Sequence, residues 1–194
     1  MNDLPPWLSV LYPFDKHRFQ TADGGLNFVD EGSGPAVVMF HGNPTWSFLY
    51  RDLILALRPS FHCLALDNLG CGLSDKPQGG DYSLAGHITR ATQWVEAQNL
   101  ESFHLVVHDW GGPIGLGMAG KLRDKVRSIS ILNTAAFTFK TIPLRIAVCR
   151  WPLMGALLVR GANGFVRAAT RMTTSSPLPE AVQAGYTYPY GNWH

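Results

Sequence analysis

The sequence predicts an α/β fold: a mostly parallel, doubly wound sheet with a mainly helical cap. Three observations predict it. Short apolar runs rich in β-branched residues, Ala36–Phe40, His62–Leu66 and Phe103–Val107, read as strands buried on both faces. Helix-compatible segments separate them, and connections of that length join parallel strands, not hairpins. Polar residues follow the runs: His41-Gly42-Asn43, Asp67-Asn68, His108-Asp109-Trp110 and, after a further strand, Asn133-Thr134. In a parallel sheet these ends share one edge, where α/β proteins gather their chemistry.

Taken in order, residues 1–16 are rich in proline and aromatics and predict an irregular arm. His17–Thr21 and Leu26–Glu31 flank Asp23-Gly24-Gly25, which signals a hairpin. Strand Ala36–Phe40 is followed by a helix over Trp46–Leu57, whose exit is marked by Arg58 and Pro59. His62–Leu66 is the next strand. Ser83 is an N-cap for a helix running to about Asn99. The central strand comes next, then a helix over Ile114–Leu122 and a strand over Val126–Leu132. Residues 1–133 are thus expected to form the sheet core and residues 134–194 a helical cap. From Lys125 to Pro179 there is no acidic residue but there are eight basic ones: Lys125, Arg127, Lys140, Arg145, Arg150, Arg160, Arg167 and Arg171.

Composition narrows the function classes. With 46% apolar and 15% charged residues the chain is globular and not disordered. A net charge of +2 is too small to argue for nucleic acid. The three cysteines are odd in number and scattered, which fits reduced thiols and neither a disulfide frame nor a metal site. His104 and His108 are four apart, but on a strand, so they do not make a helical metal pair. No cofactor is implied. The N-terminus lacks a basic region and is broken by Pro5 and Pro6, and the apolar stretch Trp151–Val159 is under half a membrane span. A cytoplasmic protein is the expectation.

The chemistry concentrates at the end of the central strand. A buried strand that turns sharply into a helix, with one reactive residue at its apex, is the geometry of a nucleophile elbow. The apex here is Asp109, with no serine in the segment. A carboxylate so placed is a candidate covalent nucleophile, and donors nearby should keep it ionised. Trp110 offers an indole N–H, and Asn43 offers an amide and a backbone N–H, together suited to a departing halide or an oxyanion. Singly, each residue has an ordinary reading: Asp109 as a helix N-cap, Trp110 as core packing, Asn43 as a turn residue before Pro44. The combination favours chemistry.

Three strings carry a family resemblance: His41-Gly42-Asn43-Pro44-Thr45-Trp46, the loop Asp67–Pro77, and Val106-Val107-His108-Asp109-Trp110-Gly111-Gly112. They resemble the haloalkane-dehalogenase group of the α/β-hydrolase fold. Within that group, Gly70-Cys71-Gly72-Leu73-Ser74 and Ile131–Phe137 look more like the β-lactone decarboxylases of long-chain olefin biosynthesis. The resemblance runs from about Tyr12 to the end. It implies a hydrophobic small-molecule substrate attacked by Asp109 at an electrophilic carbon. In a dehalogenase that carbon bears a halide, cradled by Trp110 and Asn43, and the ester formed is hydrolysed. In the lactone branch the four-membered ring opens and carbon dioxide is lost, leaving an alkene.

The resemblance also implies a histidine after the last strands and an acid to orient it. Asn133 stands where some relatives carry that acid, and the chain reaches His194 inside the expected cap. The last strands, the acid and the histidine are therefore expected to be missing, and the 194-residue fragment is expected to be inactive and poorly stable. None of the seven histidines replaces the missing one: His41 and His108 read as structural, His62 and His104 start strands, His17 is near an edge strand, His87 lies on a helix, and His194 is terminal.

Other classes fit less well. A Rossmann fold needs Gly-x-Gly-x-x-Gly at the first strand–helix turn, where this chain has His41-Gly42-Asn43-Pro44. Epoxide hydrolases use an aspartate with cap tyrosines, and Tyr186, Tyr188 and Tyr190 cluster near the terminus like loop packing. A binding-only protein on a hydrolase scaffold is the rival from a different class. For the basic cap the ordinary reading is solvated Arg heads on buried stems. The sharper one is a surface for anionic lipid or an acidic partner protein, over an alkyl-lined interior from Leu144, Leu153, Leu157 and Phe165.

Overall fold

A computed structural model of the chain describes residues 4–134 and 176–191, together with residues 166, 167, 169 and 170. Strands β1 (His17–Thr21), β2 (Gly24–Glu31), β3 (Ala36–Phe40), β4 (His62–Leu66), β5 (Phe103–His108) and β6 (Val126–Leu132) form one sheet in the order β1-β2-β4-β3-β5-β6. β1 and β2 pair antiparallel, as do β2 and β4, while β4, β3, β5 and β6 run parallel. β3 is buried along its whole length, as its uninterrupted apolar run predicts for a strand covered on both faces. The parallel register brings Phe40, Leu66, Val107 and Ile131 to one level, so the loops after all four strands open on the same edge.

Four helices of at least six residues are described in or before the sheet unit: α1 (Pro6–Leu11), α2 (Arg51–Leu57), α3 (Leu84–Ala97) and α4 (Gly111–Lys121). α3 and α4 supply Trp94, Ala91, Ile114 and Met118 to a core shared with Phe40, Leu64, Leu105 and Val107. Ser83 caps α3 as expected, its hydroxyl oxygen accepting the Gly86 N–H at 3.1 Å.

Three local readings need correction. The arm at the N-terminus contains the helix α1. Proline at a first helical position lacks only an N–H that would have no partner there, so Pro6 starts the helix, and the Leu8 N–H reaches the Pro5 carbonyl at 2.9 Å. β2 starts two residues earlier than expected, because Thr21 pairs directly with Gly24, which takes φ 142°. The helix expected from Trp46 is a 3-10 turn at Ser47–Tyr50 before α2 begins.

The chain divides into two compact units, one spanning Tyr12–Ala136 and one taking Met1–Leu11 with Phe137–His194. In the second, α1 lies with α5 (Glu180–Thr187), and the Trp7 ring stands edge-on to Tyr188 at 6.2 Å. Of the eight basic residues, Lys125, Arg127 and Arg167 are described. Lys140, Arg145, Arg150, Arg160 and Arg171 lie outside the described residues, as do Leu144, Leu153, Leu157 and Phe165. No described helix is long and apolar enough to cross a membrane.

Candidate active site

The turn after β5 is built around backbone clashes that only its own residues avoid. Asp109 sits at φ 49°, in the left-handed region that non-glycine residues rarely adopt. Two donors pin its carbonyl there: the Gly112 N–H at 2.9 Å and the Thr134 hydroxyl. A Cβ at Gly111 would run into the Phe40 carbonyl at the end of β3, and one at Gly112 into Thr134. The glycines thus let α4 start hard against the sheet, with Asp109 at the apex. Its side chain caps nothing on α4, whose N-cap position is Trp110 and which no side chain caps. The Asp109 carboxylate instead accepts the backbone N–H of Asn43 at 2.9 Å.

The Asn43 loop is held by an interior polar network. His41 is fully buried, and its Nε2 accepts the Asn68 N–H at 2.9 Å. A backbone N–H only donates, so the proton of this ring is on Nδ1, which donates to the Gly42 carbonyl at 2.7 Å. Burial lowers the His41 pKa against the pull of Asp67, in keeping with a neutral ring. Asp67, also fully buried, takes the Ser47 N–H at 2.7 Å, the Leu73 N–H at 2.9 Å and the Asn27 amide at 3.0 Å. The loops after β3 and β4 therefore form one satisfied network, which fixes them before any substrate arrives.

Beside the elbow lies a cavity of about 270 Å³, lined by Gly42, Asn43, Asn68, Leu69, Gly70, Cys71, Tyr82, His87, Trp110 and Ile114. Asn43 and Trp110 thus face one space, with Trp110 49% exposed. The Asn43 amide and the Trp110 indole N–H make no hydrogen bond to described residues. The Asn43 backbone N–H, read from sequence as a donor to the leaving group, is occupied by the Asp109 carboxylate. Asp109 adjoins the cavity through these two neighbours and is not one of its lining residues.

Sequence reasoning missed His87 and Tyr82. His87 reads from sequence as an ordinary helical histidine, yet it forms part of the cavity wall with the Tyr82 ring 6.4 Å away. The signal is its place four residues after the Ser83 cap, in the first turn of the helix leaving the β4 loop. Burial, with the neighbouring Arg90 guanidinium, pushes its pKa down to about 4. His108 has its Nδ1 buried with no partner among the described residues, and burial lowers its pKa against the pull of Asp109. His62 meets Asp30 at 2.7 Å and His104 meets Ser128 at 2.7 Å, each in a local pair. Tyr186, Tyr188 and Tyr190 belong to the other unit.

A family model for the α/β hydrolase fold matches residues 35–174. A cis-3-alkyl-4-alkyloxetan-2-one decarboxylase of Shewanella oneidensis is 40% identical over 193 residues, 96% of this chain and 61% of that protein. Haloalkane dehalogenase 2 of Mycobacterium bovis is 38% identical over 179 residues, 91% of this chain and 62% of the relative. The crystal structure of the haloalkane dehalogenase DatA from Agrobacterium tumefaciens matches with a TM-score of 0.85 at 27% identity, covering 96% of this chain and 66% of that one. The chain spans about three-fifths of the length of these two curated relatives. With its sheet order, its elbow and the family match in agreement, the chain belongs to the α/β-hydrolase fold family.

Proposed function

We propose that Asp109 is the nucleophile of an enzyme that opens and decarboxylates a long-chain β-lactone to an alkene. One observation carries this reading: a carboxylate held at a strained apex by the Asn43 N–H, beside a cavity where the Asn43 amide and Trp110 indole stand without partners among the described residues. The oxetanone decarboxylase relative supports the lactone as substrate.

Asp109 attacks the ring carbon that bears the ring oxygen, forming a C–O bond as the ring C–O bond breaks. The charge passes to the released substrate carboxylate, which the Asn43 amide and Trp110 N–H receive. That carboxylate then leaves as carbon dioxide. The electrons of its C–C bond form the double bond, and Asp109 departs as a free carboxylate. The lactone divides into alkene and carbon dioxide with no oxidant, reductant or water consumed.

The second reading is a haloalkane dehalogenase. It draws on the same donor pair, which suits a halide, and on the dehalogenase relatives. There the leaving group is halide and water hydrolyses the Asp109 ester.

Forming the ester requires only Asp109 and its donors. The test is to incubate the chain separately with a cis-3,4-dialkyl-2-oxetanone and with 1-bromohexane, recording intact mass, alkene, carbon dioxide and free halide. The lactone reading expects alkene with carbon dioxide, or the mass of the lactone added at Asp109. Halide release with an alkyl adduct selects the dehalogenase. Asp109→Asn should abolish either product. Equal reaction by that variant overturns the role of Asp109, and no reaction by the wild type with both compounds leaves an inactive or binding-only chain.

A further inference from the structure

The cavity beside the elbow contains a third polar group that the mechanism above does not use. α3 is anchored at its start by Ser83, whose carbonyl accepts the His87 N–H at 3.0 Å. His87 is therefore fixed in the first turn of the helix, at the carboxyl edge of the sheet. Other polar side chains of the cavity are committed elsewhere. The Tyr82 hydroxyl donates to the Pro77 carbonyl at 2.6 Å, and the Asn68 amide donates to the His41 carbonyl at 3.2 Å. Asn43, Trp110 and His87 are the three whose side chains make no hydrogen bond to described residues.

The His87 ring is neutral at physiological pH. It is half-buried, and Arg90, itself fixed by Asp23 at 2.5 Å and the Asp81 carbonyl at 2.6 Å, opposes a second positive charge. A neutral imidazole offers one donor and one acceptor nitrogen. Asn43 and Trp110 are placed for the charge that develops on the departing ring oxygen, which leaves the His87 N–H for the other lactone oxygen, that of the carbonyl.

We propose that His87 donates a hydrogen bond to an oxygen of the bound substrate, making the cavity selective for a cyclic ester over a haloalkane of similar length. The proposal rests on reading the cavity as the substrate site and names the feature that separates its two candidate substrates. A carbonyl oxygen satisfies the imidazole donor. A bromoalkane leaves it facing an apolar chain, and a polar group whose partner is displaced without replacement weakens the ligand that displaces it. A neutral hydrogen bond of this kind changes affinity about threefold to tenfold.

The test uses ¹⁵N-labelled chain and γ-butyrolactone, a ring too unstrained to alkylate Asp109, with 1-bromobutane as the comparison. The imidazole nitrogens of His87, assigned by their loss in His87→Phe, and the Trp110 indole are followed through each titration. The expected result is a saturable shift of His87 with the lactone, and binding of bromobutane about threefold to tenfold weaker with His87 unmoved. His87→Gln, which keeps a donor, should retain the Trp110 response to lactone, and His87→Phe should weaken it about threefold to tenfold. Silence at His87 overturns the proposal whatever Trp110 does, and so does an equal response to both compounds. Failure to detect any product or adduct at Asp109 would remove the catalytic reading and leave a lactone-induced His87 shift standing.

Discussion

The two edges of the sheet are built on different plans. At one edge, β1 alternates half-buried and exposed residues, with Phe19 packed on the core and Arg18 outside. Arg18 reaches Asp75 at 2.5 Å and the Leu73 carbonyl at 2.9 Å, which ties the strand down with polar contacts. At the other edge, β6 is exposed from Arg127 to Leu132 and shows both faces, with Ile131 58% exposed. Polar ties cover the outer side of β1, whereas β6 leaves Ile129, Ile131 and Leu132 exposed beside Arg127, Ser128 and Ser130. The lesson is that the Asp109 turn depends on the second kind of edge. Thr134, two residues after β6, holds the Asp109 carbonyl, while β1 contributes nothing to the turn.

The largest effect that would break this comparison concerns association. Exposed Ile129, Ile131 and Leu132 should make the chain self-associate and melt without a sharp cooperative transition. Ile129→Lys with Ile131→Lys should shift it toward monomer by sedimentation velocity. A monomeric wild-type chain with a cooperative melt by circular dichroism would show that β6 closes the sheet as well as β1 does.

A smaller effect separates the edges at the site. Thr134→Val keeps the shape but removes the donor to Asp109, and should lower stability by about 1 kcal/mol in urea melts. It should also slow ester formation on Asp109 about tenfold through loss of positioning. Arg18→Ala removes an exposed ion pair, with less than about 1 kcal/mol lost and no change in that rate. Equal rates in the two variants would sink the link from β6 to Asp109.

The gentlest probe is pH. His41, His87 and His108 all have lowered pKa values, and all stand at the ends of interior strands or beside the site cavity. The unfolded chain binds protons at these residues below about pH 6.5 that the folded chain refuses. Stability is thus fully present above that pH and declines as it falls, through about 4 for His87. Urea midpoints should drop between pH 7 and pH 5, and less steeply in His87→Phe. Identical midpoints at the two values would refute it.

Much of this was legible in the residues themselves. β3 and β4 match their expected bounds because short apolar runs between polar turns leave no other register, and β6 matches because Ile129 and Ile131 alternate with Ser128 and Ser130. α1 was hidden because Pro5 and Pro6 signal a break unless their place at a helix start is recognised. At the site, Asp109, Asn43 and Trp110 could be read from their strand–turn positions. That the Asn43 N–H binds the carboxylate could not, since it follows from the His41 ring orienting a neighbouring peptide. His87 was hidden for a related reason. What a helical side chain meets depends on how α3 packs against α4, and spacing along one helix does not encode that.

The buried His41 ring has a consequence for how such a site can diverge. Through its two nitrogens it couples the peptide after β3 to the peptide after β4. An insertion in either segment would therefore propagate to the Asp109 carboxylate. Lineages that keep this coupling can change what they accept by exchanging side chains around the chamber, while the length of its framing segments stays under constraint.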